Sequence, residues 1–259
     1  MPSKNPIVLF LIAAFVLLMT CACRAQGPAL DGHRAQKVSV VSREKGSGRV
    51  RWRSQLRAHI IKAEGTTYLY FEEKGEEPAQ GPERSKAWTS STYSILEGNK
   101  IRPYLTNLVV RDSGGRAIEK VEKFYDHKKR IVVCNVNGRV QILGLKSEVA
   151  DKQDLAFYLM GYPFDKKNDL DFLLVTHTPA VYAMTVKYRG KESINVGGRS
   201  TLCHKLEMLP DIGILNFLRV FFPKTYLWFE AAPPHYFVRY EGLESGLGTP
   251  YVVVDAVRE

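Results

Sequence analysis

Cysteine and histidine are sparse in this chain of 259 residues, and neither is spaced for chemistry. The four cysteines form no C-x-x-C pair. The histidines (His33, His59, His127, His177, His204 and His235) form no H-x-x-x-H pair, the spacing that puts two metal ligands on one helix face. Cys203 and His204 are neighbours, so on a strand they point to opposite faces. No metal and no cofactor is expected. A G-x-S-x-G elbow is also missing. Gly246-Leu247-Gly248-Thr249 runs into a strand pattern, so it is not a phosphate-binding loop opening a helix. With no catalytic constellation, the chain is not expected to be an enzyme. There is no internal repeat or low-complexity tract. The clearest hydrophobic run, residues 7–19, has 13 residues, short of the ~20 a membrane-spanning helix needs.

What the beginning does hold is an export signal. Lys4 sits in a short polar stretch, the apolar run follows, and Thr20, Cys21, Ala22, Cys23, Arg24 and Ala25 close it. This is the layout of a secretory signal peptide. Two processing routes are open. Cleavage after Ala25 would use Cys23 and Ala25 as the small residues of an A-x-A-like site. Alternatively Cys21 or Cys23 is acylated and becomes the mature amino terminus. Leu18-Met19-Thr20-Cys21 resembles a bacterial lipobox with Thr where Gly, Ala or Ser is usual, and Ala22 is the better residue to precede Cys23. Residues 1–25 are therefore read as the signal, 26–36 as a linker and 37–259 as one β-rich domain. The expected location is the bacterial cell envelope: the periplasm, anchored to the outer membrane if the chain is lipidated.

Acidic residues are in deficit, giving a net charge of +10; setting aside Lys4 and Arg24 in the leader leaves +8. In an exported protein this charge does not call for nucleic acid. It matches anionic lipid head groups and lipopolysaccharide phosphates, or it is simply a solvated basic surface. Outside the leader only Cys134 and Cys203 remain. An oxidising compartment permits their disulfide, while the apolar strand-like run around each fits a buried free thiol.

The remainder reads with period two. In residues 49–57, Val50, Trp52 and Leu56 face one side and Arg49, Arg51, Arg53 and Arg57 the other. Alternate strand residues lie ~6.6 Å apart, so these arginines form a basic row suited to phosphate, or pair with Glu72, Glu73, Glu76 or Glu77 across a hairpin. A turn at Glu64-Gly65 leads to a returning strand at 68–73, and 74–86 reads as a loop. Further strands are predicted at 88–96, 106–112, 118–125, 131–136 and 139–144. Asp112-Ser113-Gly114-Gly115 and Asn137-Gly138 supply hairpin turns. Residues 151–160 read as a short helix capped by Asp151 and ended by Gly161 and Pro163. Strands resume at 170–177, 180–189, 192–196, 201–208, 225–230, 235–241 and 250–257. Tyr182, Met184, Val186 and Tyr188 share one face. Residues 211–222 are apolar nearly all round and would make a helix of about 18 Å, serving as a lid or plug, as a membrane-touching element or as core. So many short strands and so few helices predict a mainly β fold. It is an antiparallel, strongly curved sheet or incomplete barrel with one or two short helices.

The order of motifs in the second half resembles a known family. Asp154-Leu155-Ala156-Phe157-Tyr158-Leu159 is followed by Gly190-Lys191-Glu192, then Cys203-His204-Lys205-Leu206-Glu207, Tyr226-Leu227-Trp228-Phe229 and Val238-Arg239-Tyr240-Glu241-Gly242. This resembles domain of unknown function 3108, over residues 150–257 and more loosely 36–257. The resemblance implies a Gram-negative envelope protein with a curved half-barrel similar to the lipoprotein carriers LolA and LolB. It implies no catalytic residues. The function expected is a non-enzymatic binding or carrier-like module. A lipid or lipid-modified ligand would lie in its concave face, lined by Trp228, Phe229, Tyr182 and Met184. The alternative is an envelope lipoprotein that docks a partner through its basic face.

Overall fold

In a computed structural model, residues 36–79, 85–97, 100–211, 213, 223–246 and 248–258 are described. The leader with Cys21 and Cys23, the linker up to residue 35, and most of the apolar segment 211–222 lie outside them.

Alternation becomes one continuous sheet of 15 strands among these residues. The first eight are β1 (Gln36–Glu44), β2 (Val50–Ala63), β3 (Thr66–Glu77), β4 (Lys86–Glu97), β5 (Lys100–Asp112), β6 (Ala117–Asp126), β7 (Ile131–Val136) and β8 (Arg139–Gly144). Then follow β9 (Val149–Asp151), helix α1 (Leu155–Met160), β10 (Leu170–Val175), β11 (Val181–Val196), β12 (Arg199–Pro210), β13 (Thr225–Glu230), β14 (Phe237–Leu243) and β15 (Tyr251–Arg258). The order is β8-β7-β6-β5-β4-β3-β2-β1-β15-β14-β13-β12-β11-β10-β9. Two meanders thus meet where β1 pairs with β15, and only β9 and β10 run parallel. The Asn137-Gly138 turn has φ of 52° and 84°, the doubly positive geometry that matches strand twist in a two-residue hairpin. We call the end of the sheet holding the β2–β3, β4–β5 and β6–β7 turns the proximal end. β1 runs away from it.

The sheet curls until the two ends of its order face each other. Tyr125 on β6 and Val132 and Cys134 on β7 pack with Leu145, Val149 and Val175, the last two on β9 and β10. The inner face is closed from within by residues 150–164. Phe157 of α1 lies on Phe71 of β3, with ring centres 4.9 Å apart. Tyr158 lies on Phe172 of β10 at 5.1 Å. Leu159, Tyr162 and Phe164 join Met184, Val186, Leu206, Leu227 and Phe229 in the main core. On β4 and β5 the inner face carries small hydroxyl residues, with Ser90, Thr92, Ser94 and Thr106 all buried. Their size leaves room for the segment that crosses the interior.

Several expectations shift. Asp151 belongs to β9 and does not cap α1; the N-cap position is Asp154. Residues 180–189 and 192–196 are one strand, β11, whose pairing with β12 slips between Tyr188 and Lys191. β1 was not foreseen, and β3 and β4 extend into the stretch read as a loop. The backbone there is held by a close approach. A Cβ on Gly75 would stand 2.0 Å from the Trp88 ring, which lies across it. Gly75→Ala must therefore displace the indole, and overpacking of this kind costs about 1–3 kcal/mol. A lower urea midpoint is expected for that variant, and an unchanged midpoint would refute the contact.

Candidate functional site

The interior holds charge as well as apolar groups. Lys123 on β6, at 1% exposure, places its Nζ 2.6 Å from a carboxylate oxygen of Asp151, at 0%. Tyr125 donates its hydroxyl to the same carboxylate. Asp151 also accepts from the Gln153 amide at 2.9 Å, and its own amide donates to Asp154 at 2.9 Å. Ser94 of β4 donates to Asp154 at 2.7 Å. This network ties β4 and β6 to β9 and to the start of α1. Burial, with Asp151 close by, raises the Asp154 carboxyl to about 7. Burial also pushes the Tyr125 phenol well above its usual range, and the charge of Asp151 adds to it. His177 is lowered to about 4 by burial first and then by Lys152 and Lys123.

The sequence-predicted lining residues do not share one space. Phe229 and Met184 are buried on the inner face beneath residues 150–164. Trp228 points to the outer face, packed with Cys203 and Val238, and its indole donates to Glu192 at 2.6 Å. Tyr182 is 52% exposed, near the rim. Both folded-domain cysteines are buried free thiols, each raised to about 11 mainly by burial. His204 is buried against Phe164, ring centres 4.3 Å apart. Its Nδ1 lies 3.2 Å from the Tyr188 hydroxyl, and burial lowers it to about 4.

The arginine row is offset by carboxylates. Arg49 precedes β2 and pairs with Glu44 at 3.0 Å. Arg51 pairs with Glu244 at 3.1 Å and lies 4.0 Å from Glu77. Arg53 and Arg57 stand opposite Glu76 and Glu72 in the β2–β3 register.

The feature that sequence reading missed lies on the outer face of the first meander. Cross-strand register places His59, Tyr70, Tyr93, Leu105, Phe124, Val133 and Ile142 in one line across β2 to β8. At ~4.8 Å per strand this line is about 29 Å long. Tyr70 and Tyr93 have ring centres 4.6 Å apart, Tyr68 and Tyr104 5.5 Å, and Tyr104 and Phe124 5.6 Å. Ile142 is 50% exposed, and Ile118 and Val140 extend the apolar surface on β6 and β8. The outer face of a sheet whose inner face is the core is ordinarily polar. The belt departs from that pattern. The available signal was the unbroken run Tyr68-Leu69-Tyr70-Phe71, which lacks the alternation of a strand wetted on one side.

Asp154 makes the closure sensitive to pH. An acid whose pKa is higher in the folded chain holds its proton more tightly there. Its contribution is unaffected below the ordinary value of 3.8, erodes as pH rises, and levels off above about 7. The loss is on the order of a few kcal/mol. Asp154→Asn keeps an oxygen that accepts from the Asp151 amide and removes the titrating charge. Urea midpoints across this pH range should fall for the wild type relative to Asp154→Asn. Parallel pH profiles would show that Asp154 is not protonated in the fold.

No family model matches the chain, and no curated protein matches it in sequence. The fold is similar to a solved β-barrel-like protein of domain of unknown function 1849 from Brucella abortus. The TM-score is 0.54 at 8% identity, over 86% of this chain and 95% of that one. A domain of unknown function 1089 family protein from Pseudomonas aeruginosa gives 0.42 at 9% identity, over 75% and 92%. The hypothetical lipoprotein YmcC from Escherichia coli gives 0.31 at 14% identity, over 93% and 96%. The last two superpose too loosely to extend the likeness. The chain is thus β-barrel-like in fold, one long sheet that does not close on itself.

Proposed function

We propose that this chain is an exported, non-enzymatic lipid-binding protein of the bacterial cell envelope, and that it meets lipid on the outer aromatic belt. One observation carries the reading. The inner face is already filled by the chain's own residues 150–164, while the outer face of β2 to β6 presents a half-exposed series of tyrosines, His59 and Phe124. Tyrosine combines an apolar ring with a polar hydroxyl and is favoured at the boundary between acyl chains and water. The export signal and the two leader cysteines support a site of action at a membrane.

The test is photocrosslinking of the full chain in intact bacteria with a diazirine-bearing fatty acid, followed by peptide mapping. Label is expected on the peptides containing Tyr70, Tyr93 and Phe124, and the double variant Tyr70→Ser/Phe124→Ser should lose most of it. Label confined to peptides with Met184 and Phe229 would place the ligand inside the half-barrel and refute the outer-face reading. No label on any peptide of the folded domain would refute lipid binding altogether.

A further inference from the structure

The aromatic belt ends, on its proximal side, at two neighbouring turns that concentrate positive charge. The β6–β7 turn carries Lys128, Lys129 and Arg130, all exposed, two strand positions beyond the outward-facing Asp126 and Phe124. The segment after β8 carries exposed Lys146. The two are joined by a hydrogen bond of 2.6 Å from the Arg130 guanidinium to the Lys146 carbonyl. Lys129 is offset by Asp126 at 3.2 Å. Lys128, Arg130 and Lys146 make no ion pair among the described residues. Nearby on the same end, Lys100 and Arg102 share Glu148 at 3.5 and 3.6 Å, and Arg102 also meets Glu97 at 3.1 Å. The arginines of β2, by contrast, face carboxylates.

We propose that these two turns bind the anionic head groups of a phospholipid membrane, so that the outer face of the first meander lies against the bilayer with the belt toward the acyl boundary and the proximal turns at its edge among the head groups. This rests on the lipid-binding reading and adds the class of head group and the orientation. The charge is complementary to an anionic leaflet, and the aromatic rings beside it suit the interface. Chain connectivity agrees. β1 starts toward the proximal end, with Gln36 opposite Ala58 of β2. If Cys23 is acylated, the twelve residues 24–35 reach at most roughly 40 Å. Gln36 stands opposite Ala58, five residues short of the end of β2 or about 17 Å along the strand, so a tether of that length lets the proximal turns meet the membrane.

The test uses the full chain with Cys21→Ser and Cys23→Ser, so that no acyl anchor contributes. Its partition is measured onto vesicles of phosphatidylcholine alone and of phosphatidylcholine mixed with phosphatidylglycerol. Wild-type turns should bind the mixed vesicles at least tenfold more strongly, and the preference should vanish at about 1 M salt, where the screening length falls to ~3 Å. Each basic side chain at an anionic surface contributes a factor of about five, corresponding to ~1 kcal/mol. Lys128→Gln/Arg130→Gln/Lys146→Gln should therefore lose most of the preference while remaining folded by circular dichroism and keeping the residual binding to phosphatidylcholine. Equal binding to both vesicles, or a preference that survives the triple variant, overturns this inference and leaves lipid binding by the belt standing. Absence of binding to either vesicle overturns lipid binding itself.

Discussion

The Asp151 carboxylate is the point on which the curled shape of the sheet turns. It sits on β9, at one end of the strand order, and receives Lys123 and Tyr125 from β6, close to the other end. A sheet this long could lie open, with its inner face wet. Joining β6 to β9 brings Tyr125, Val132 and Cys134 onto Val149 and Val175, and so removes that face from water. The ion pair need not be strongly favourable to matter. Desolvating two charges offsets most of their attraction, whereas stripping one partner leaves a buried charge at a cost of ~3–5 kcal/mol. The pair therefore acts chiefly on specificity: a register in which Lys123 and Asp151 fail to meet is heavily penalised.

The same clip starts the segment that fills the interior. Asp154 follows Asp151 by three residues, takes Ser94 from β4, and α1 begins directly after it. Phe157, Tyr158, Leu159, Tyr162 and Phe164 then cross from β3 to the strands of the second meander. Filling the concave face from within is what directs attention outward. The half-barrel shape alone suggests a ligand inside. With that face taken by the chain's own aromatic side chains, the belt is the large apolar surface left among the described residues, and the proposed lipid contact follows from it.

Much of the architecture was readable in advance. The hairpin turns at Glu64-Gly65, Asp112 to Gly115 and Asn137-Gly138 need residues that accept positive φ, and β6, β7 and β8 alternate strongly enough to be placed. β1 was missed because its neighbouring polar and small residues dilute the alternation, and β9 because three residues carry no period. The arginine row looked like a phosphate site because strand geometry shows which residues share a face. It does not show that Glu44, Glu77 and Glu244 come to meet them, since Glu244 is brought in only when β14 and β15 fold back onto β1. The chosen lining residues failed to converge for a related reason. Trp228 and Phe229 are adjacent in sequence, so a strand sends them to opposite faces.

By itself, then, the sequence determined the β class and most strand positions. These depend on local composition and on periods that neighbouring residues carry. Tertiary structure decided which face is inside, what fills it, which charges are matched and where side chains from seven strands form one belt. Those outcomes depend on pairing register between strands far apart in the chain, and a shift of one residue in register exchanges every side chain between the two faces.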